Sequence, residues 1–350
     1  MIQTFSSTIR RKEMDAVLTC MVDEKLGPGE LNQKLVQAVK EALGCDGAVA
    51  FRSPAIAFSY VLKVLDLPAE AFIMVSALAP AWQYTAVKNL GYTPLVLDVN
   101  EETGLVDEGA VQEGIKKGGR LLLLHETMGI LPCIDNILAL GVPVIEDISQ
   151  SFGDVYPSSA DDGAAAPRKA GMCGLFSIFG MEDNDTVTSG GGAVLVAPRR
   201  RDWIVLKKHT DSAPETDILP DMNSALGLIQ LKEFKRNEDI RKSLFEIFQK
   251  ALATGKNKTF LRDSGENTTV WSFPVVLGGS FKEAKQYASR KEIEIRSAYE
   301  KSVISLLEDD EKTNYLHAKS LMLRCVLFPL YPRLGSESAT KIAKVLGTLP

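Results

Sequence analysis

Val144-Ile145-Glu146-Asp147-Ile148-Ser149-Gln150-Ser151-Phe152-Gly153 decides the fold. Pro143 to Glu146 reads as a short, fully apolar-backed strand, and a second carboxylate, Asp147, closes it. A carboxylate at the C-terminal end of a buried parallel strand sits where α/β sheets place their ligands. Asp147 or Ser149 also suits a helix N-cap, and both readings stand at this point. Working outward, the same alternation recurs. Gly47–Phe51, Phe72–Ser76, Thr93–Val99 and Arg120–Leu124 read as strands. Helical spacing falls between them at Leu31–Leu43, Pro54–Leu65, Trp82–Leu90, Glu108–Lys117 and Ile134–Leu140. Gly44 and Gly91 are helix stops, and Pro54 suits a first helical position. Continuous apolar strands alternating with helices imply a parallel sheet covered on both faces.

Beyond Gly153 the pattern changes. Asp154 to Ala170 is a loop rich in small residues and proline, and strands follow at Cys173–Phe179 and Ala193–Ala197. Asn223 to Ala251 reads as one long amphipathic helical region, a bridge between domains. A second unit opens at Thr269–Leu277, with helices at Phe281–Ser289 and Ser336–Val345 and a strand at Glu294–Ser297. The expected fold class is α/β, with a large domain over residues 1–245 and a smaller α/β domain over 246–350.

Composition narrows the function. The chain of 350 residues is 45% apolar and 24% charged, which excludes disordered, fibrous and collagenous classes. A formal net charge of −5 argues against a nucleic-acid partner, and the basic run Arg199–Arg201 reads as a solvated loop. Five widely spaced cysteines without Cys-x-x-Cys fit reduced thiols, not disulfides or a metal site. No apolar run reaches the roughly 18 residues of a membrane helix, and the N-terminus lacks a signal-peptide core. A cytoplasmic protein without a membrane partner is expected.

The opening stretch resembles the motif V-I-E-D-A-A-Q-A-x-G of the DegT/StrS-type sugar aminotransferases, matching at Val144, Ile145, Glu146, Asp147, Gln150 and Gly153. Further segments are similar to that family in order: Ala48–Phe51, Gly91–Val99, Gly174–Ser177, Thr188–Ala193 and Ala225–Leu231. The resemblance implies a fold-type I pyridoxal phosphate (PLP) transferase and nucleotide-linked keto-sugar ligands. It also implies a homodimer with its site at the subunit interface. It places Asp147 against the pyridine nitrogen, where a protonated ring acts as electron sink. Gln150 takes the ring's phenolic oxygen and Ser177 the phosphate. Ser177 also reads as a buried strand serine, and Gly190–Gly192 as a tight turn with positive φ.

Departures from the family concentrate on the same site. Its Schiff-base lysine falls at Glu182, five residues after Ser177, or at Asn184 counted back from the triple glycine. Ile178 to Ser189 contains no lysine at all. Glu182 can shuttle a proton but cannot form an imine. The family's S-G-T phosphate turn is Ser53-Pro54-Ala55 here, which removes one N–H and one hydroxyl. The ring-stacking aromatic aligns with Pro80, leaving Trp82 as a stand-in, and the partner-subunit asparagine aligns near Thr216 or Asp217. His125 follows its strand at the rim of the expected site. PLP or pyridoxamine phosphate (PMP) is therefore expected to be held noncovalently, if at all. Three readings stay open: a family member without transamination, a lysine-independent enzyme with Glu182 as acid/base, or an aminotransferase with a lysine from elsewhere.

Overall fold

The computed structural model of the chain describes residues 1–156, 167–262 and 268–350. Seven strands form the central sheet: β1 (Gly47–Phe51), β2 (Phe72–Ser76), β3 (Thr93–Leu97), β4 (Gly119–His125), β5 (Val144–Asp147), β8 (Phe176–Gly180) and β9 (Ala193–Ala197). The two-residue strands β6 (Val155–Tyr156) and β7 (Arg168–Lys169) pair beside it. The expected loop from Asp154 to Ala170 lies partly outside the described residues. The sheet order is β1-β9-β8-β5-β4-β2-β3. It is mainly parallel, as expected, and only β9 runs against its neighbours, β1 and β8.

Alternate residues feed the two faces, as strand geometry requires. On β4, Leu121 and Leu123 face a core with Phe58, Val61 and Ile145, while Leu122 and Leu124 face one with Met74, Val144 and Val194. The first helices end as read. Gly44 caps Glu30–Leu43 at φ 80°, and Pro54 opens Pro54–Leu65 behind the N-cap Ser53. The region read as one long helix is two, Asp221–Lys232 and Phe234–Leu252, meeting at Glu233.

Three antiparallel strands form a second sheet, β10 (Phe273–Val276), β12 (Cys325–Phe328) and β11 (Arg296–Ser297). It has its own core of Phe248, Phe273, Val275, Phe328 and Ile342. The N-terminus joins this unit: Ile2 bridges Ile293, and Thr4 bonds Glu294. The C-terminal ends of the parallel strands therefore face residues from the second unit across a cleft. All five cysteines are free, and no described helix is long and apolar enough to cross a membrane.

Candidate active site

A cavity of about 290 Å³ opens at these strand ends. Pro54, Trp82, Gln150 and Glu182 line it, so four of the seven site residues read from the sequence converge there. His125 and Asn184 line it as well. Asp147 lies just beneath, fully buried and behind its partners. Its carboxylate accepts four hydrogen bonds: from Gln83 Nε2 (2.8 Å) and His125 Nδ1 (3.0 Å) on Oδ2, and from Ser149 N (3.2 Å) and Oγ (2.5 Å) on Oδ1. Because a carboxylate only accepts, His125 must carry its hydrogen on Nδ1. Burial would raise this carboxyl, but His125 and Ser149 outweigh it and hold Asp147 below the usual range. No helix follows, so the N-cap reading is replaced by a tight turn closed by Ser149.

Gln150 anchors its Oε1 on the Met128 N–H at 2.6 Å, which fixes the side chain at the pocket wall. Glu182 sits at the rim near Gly192, and burial pushes its carboxyl up. Asp185 lies behind it, accepting the Glu182 N–H at 2.7 Å. Burial, with Asp147 and Glu182 as negative neighbours, pushes Asp185 up to about 8. Gly190, Gly191 and Gly192 have φ of 71°, 120° and 126°, so a turn does require these glycines. A Cβ on Gly192 would also stand 2.5 Å from Leu219.

The remaining residues do not join the pocket. The Ser177 hydroxyl points to the opposite sheet face, beside Gly171, and has no partner among the described residues. Ala55 packs into the core behind the helix start. The Ser53 hydroxyl caps its own helix by accepting from Ile56 N at 3.2 Å, and Pro54 carries no N–H. Asp217 is tied to its own chain, accepting from Tyr60 Oη at 2.8 Å.

The sequence profile of the DegT/DnrJ/EryC1/StrS aminotransferase family matches residues 7–347. The chain belongs to this family. A Streptococcus pneumoniae protein described as a sugar aminotransferase, in its PLP form, shares the fold with a TM-score of 0.85 at 16% identity over 97% of this chain and 96% of that one. The same protein is also solved in a PMP form. S. venezuelae DesV in complex with a ketimine intermediate gives 0.83 at 18% identity, over 96% and 93%. The E. coli GDP-4-keto-6-deoxy-D-mannose-3-dehydratase with bound hydrated PLP gives 0.82 at 16%, over 99% of both chains. At such identities the likeness establishes the fold alone. PLP and PMP are the cofactors of these family relatives.

Tested against the DegT/DnrJ/EryC1/StrS cofactor, the pocket fits only in part. Asp147 and Gln150 retain the residue types for the ring. The segment Ile178–Ser189 carries no lysine and Pro54 offers no N–H, while Glu182, Asp183 and Asp185 line the wall and Lys301 lines it from the facing unit. The acidic lining of that segment does not fit a phosphate-clamped group. Sequence reading passed over Gln83, Thr127 and Asp185, and took Ser149 only as a helix cap. Ser149 reaches Asp147 through a local turn two residues on, whereas only the tertiary fold brings Asp185 close to it. Gln83 lies in the first turn of the helix Ala81–Asn89 with no local signal.

Asp185 gives a stability test. An acid raised in the folded state binds more protons than the unfolded chain, so stability falls as pH rises from about 4 towards 8. Asp185→Asn is expected to raise Tm at pH 8.5, by about 2–4 °C, and to change little at about pH 4. Thermal unfolding at the two pH values checks it.

Proposed function

We propose that this family member binds a sugar-class small molecule in the strand-end pocket and does not carry out transamination. The observation that carries the reading is Glu182 at the pocket rim, on a segment without lysine, where the family's imine-forming residue is expected. A carboxylate cannot condense with an aldehyde. The acids around it disfavour a phosphate. In this reading PLP or PMP, where taken up, is held noncovalently, with Asp147 and Gln150 as its contacts. Trp82 and Pro54 flank the ligand, and Glu182 faces it.

The test is spectroscopic. Protein mixed with PLP and treated with borohydride is expected to carry no pyridoxyl-lysine, and Glu182→Lys is expected not to gain amino transfer to a nucleotide-linked keto sugar. A stable adduct on a lysine of the native chain would overturn the reading. Ordinary amino transfer by Glu182→Lys would show a site one substitution from active.

One observation favours a second reading. Burial raises both Glu182 and Asp185 beside the pocket, Asp185 to about 8, which suits lysine-independent proton transfer on a bound keto sugar. Loss of water from such a sugar in the presence of PMP would establish it.

A homodimer is part of the proposal. Met14, Leu18, Met21 and Val22 form an exposed apolar stripe on the helix Arg11–Val22, which supports burial against a second copy. Five free thiols support a reducing, cytoplasmic setting.

A further inference from the structure

Residues 1–10 run from the second unit to the first helix, and their backbone is tied firmly only at the two ends. Ile2 donates its N–H to Glu292 O at 2.7 Å and accepts from Glu294 N at 2.8 Å, and Thr4 N donates to Glu294 Oε2 at 2.9 Å. At the other end Ile9 O accepts from Arg333 Nη1 at 3.0 Å, and Arg10 leads into the helix Arg11–Val22. Between these anchors Phe5, Ser6 and Ser7 make no backbone–backbone hydrogen bond among the described residues. Side chains hold the stretch down instead. The Ser7 hydroxyl donates to Asp183 O at 2.9 Å, and the Phe5 ring packs on Trp271 with centroids 5.6 Å apart.

The same stretch walls the strand-end pocket. Phe5, Asp183, Asn184, Asp185 and Trp271 are shared walls of the cavity of about 290 Å³ and of a second one of about 30 Å³, which Ser6, Ser7 and Thr8 also line. The lining of the small cavity is mainly polar, so lifting the stretch uncovers little apolar area beyond the Phe5 ring. Thr8 adds an independent observation. It is 4% exposed and sits at φ 54°, a left-handed conformation that strains a β-branched residue and persists only where its surroundings impose it. Backbone strain of this kind gathers at clamps and switch segments.

We infer that Phe5–Thr8 is a strap across the strand-end pocket that opens locally, with the rest of the fold intact, to admit and release ligand. Phe5 leaves Trp271 and Ser7 leaves Asp183, while Ile2–Thr4 and Ile9 stay anchored. Opening joins the two cavities and frees the Glu182–Asp185 loop from its tie to the strap. A segment with few backbone hydrogen bonds and little buried apolar area opens at a free energy well below that of global unfolding. The strap serves whichever ligand the pocket takes, and so reaches beyond the binding role proposed above.

Thiol labelling of Thr8→Cys tests it, in a Cys133→Ser background that removes the exposed native thiol. Cys325, 1% exposed in the core, labels only through global unfolding and is the internal reference. The introduced thiol is expected to label at least about 100-fold faster than Cys325, at a rate insensitive to low denaturant, which is the mark of local opening. Adding Phe5→Ala is expected to speed it a further tenfold or so, the scale of one buried aromatic ring, and Ser7→Ala about fivefold, the scale of one hydrogen bond. Neither should change Cys325. An introduced thiol that labels only together with Cys325, or variants that speed both thiols alike, would make the stretch a fixed part of the fold and overturn the strap. If Thr8→Cys does not fold, hydrogen exchange of Ser7→Ala against the parent chain decides. Faster exchange at Glu182 and Asp185 with Leu122–Leu124 unchanged supports the strap, and no change at the loop refutes it. No ligand enters these measurements, so their outcome is separate from the question of transamination.

Discussion

Glu146→Ala is expected to destabilise the protein by about 4–6 kcal/mol, enough to threaten folding, because it leaves three buried N–H groups without an acceptor. Glu146 is fully buried and accepts from Gly171 N (2.8 Å), Cys173 N (2.8 Å) and Gly174 N (2.5 Å). It thereby holds the segment before β8 against the end of β5. Tyr156 Oη adds a fourth contact at 2.9 Å and also bonds Glu126, whose other oxygen bonds Ser151. A proton count follows. Tyr156 has one hydroxyl proton and faces two carboxyl groups, so one of those carboxyls must itself be a donor. Burial and the neighbouring Glu146 push Glu126 well above the ordinary range, while Glu146 is raised less because backbone N–H groups stabilise its charge. Glu126 is the protonated partner. Glu126→Gln keeps a donor for Tyr156 and an acceptor for Ser151, so it is expected to cost under about 1 kcal/mol. Chemical denaturation of the two variants checks the contrast. Similar losses in both would refute the proton assignment.

The contrast also shows what a sequence discloses. Gly47–Phe51 and Pro54–Leu65 emerged with their observed bounds because glycine and proline punctuate them and their faces are buried. Strand β12 was missed for the opposite reason. Cys325–Phe328 continues directly from the helix Leu316–Arg324, and a short run buried on both faces has no period to separate strand from helix. The helix Arg11–Val22 was missed because its apolar residues face outward, so no core pattern marks it. At the site, Asp147, Gln150 and Glu182 were legible through a collinear motif. Ser177 misled, since strand alternation turns it to the face opposite Asp147, a parity that the motif does not state. Thr127 and Gln83 came from other elements, and only the packing of those elements joins them to the pocket.

Asp147→Ala is expected to cost about 3–5 kcal/mol above pH 6, because one change strips the acceptor from Gln83, His125 and both donors of Ser149. The pH dependence has a definite sign. A carboxyl held below its usual range stabilises the fold above the unfolded value of about 3.9, and the contribution is lost as pH falls through the folded value. The gap between the parent chain and Asp147→Ala should therefore narrow on acidification below about pH 4. Asp147→Asn is a separate case. Gln83 Oε1 is buried without a partner in the parent protein, so an amide flip presents it to the new Asn NH₂ group. His125 can move its proton to the other ring nitrogen and accept as well. This repair limits the loss to about 1–2 kcal/mol. It also changes the His125 tautomer, which imidazole nitrogen chemical shifts report directly. A loss in Asp147→Asn as large as in Asp147→Ala, at an unchanged tautomer, would mean that the charge of Asp147, and not its hydrogen-bond geometry, organises the floor of the pocket.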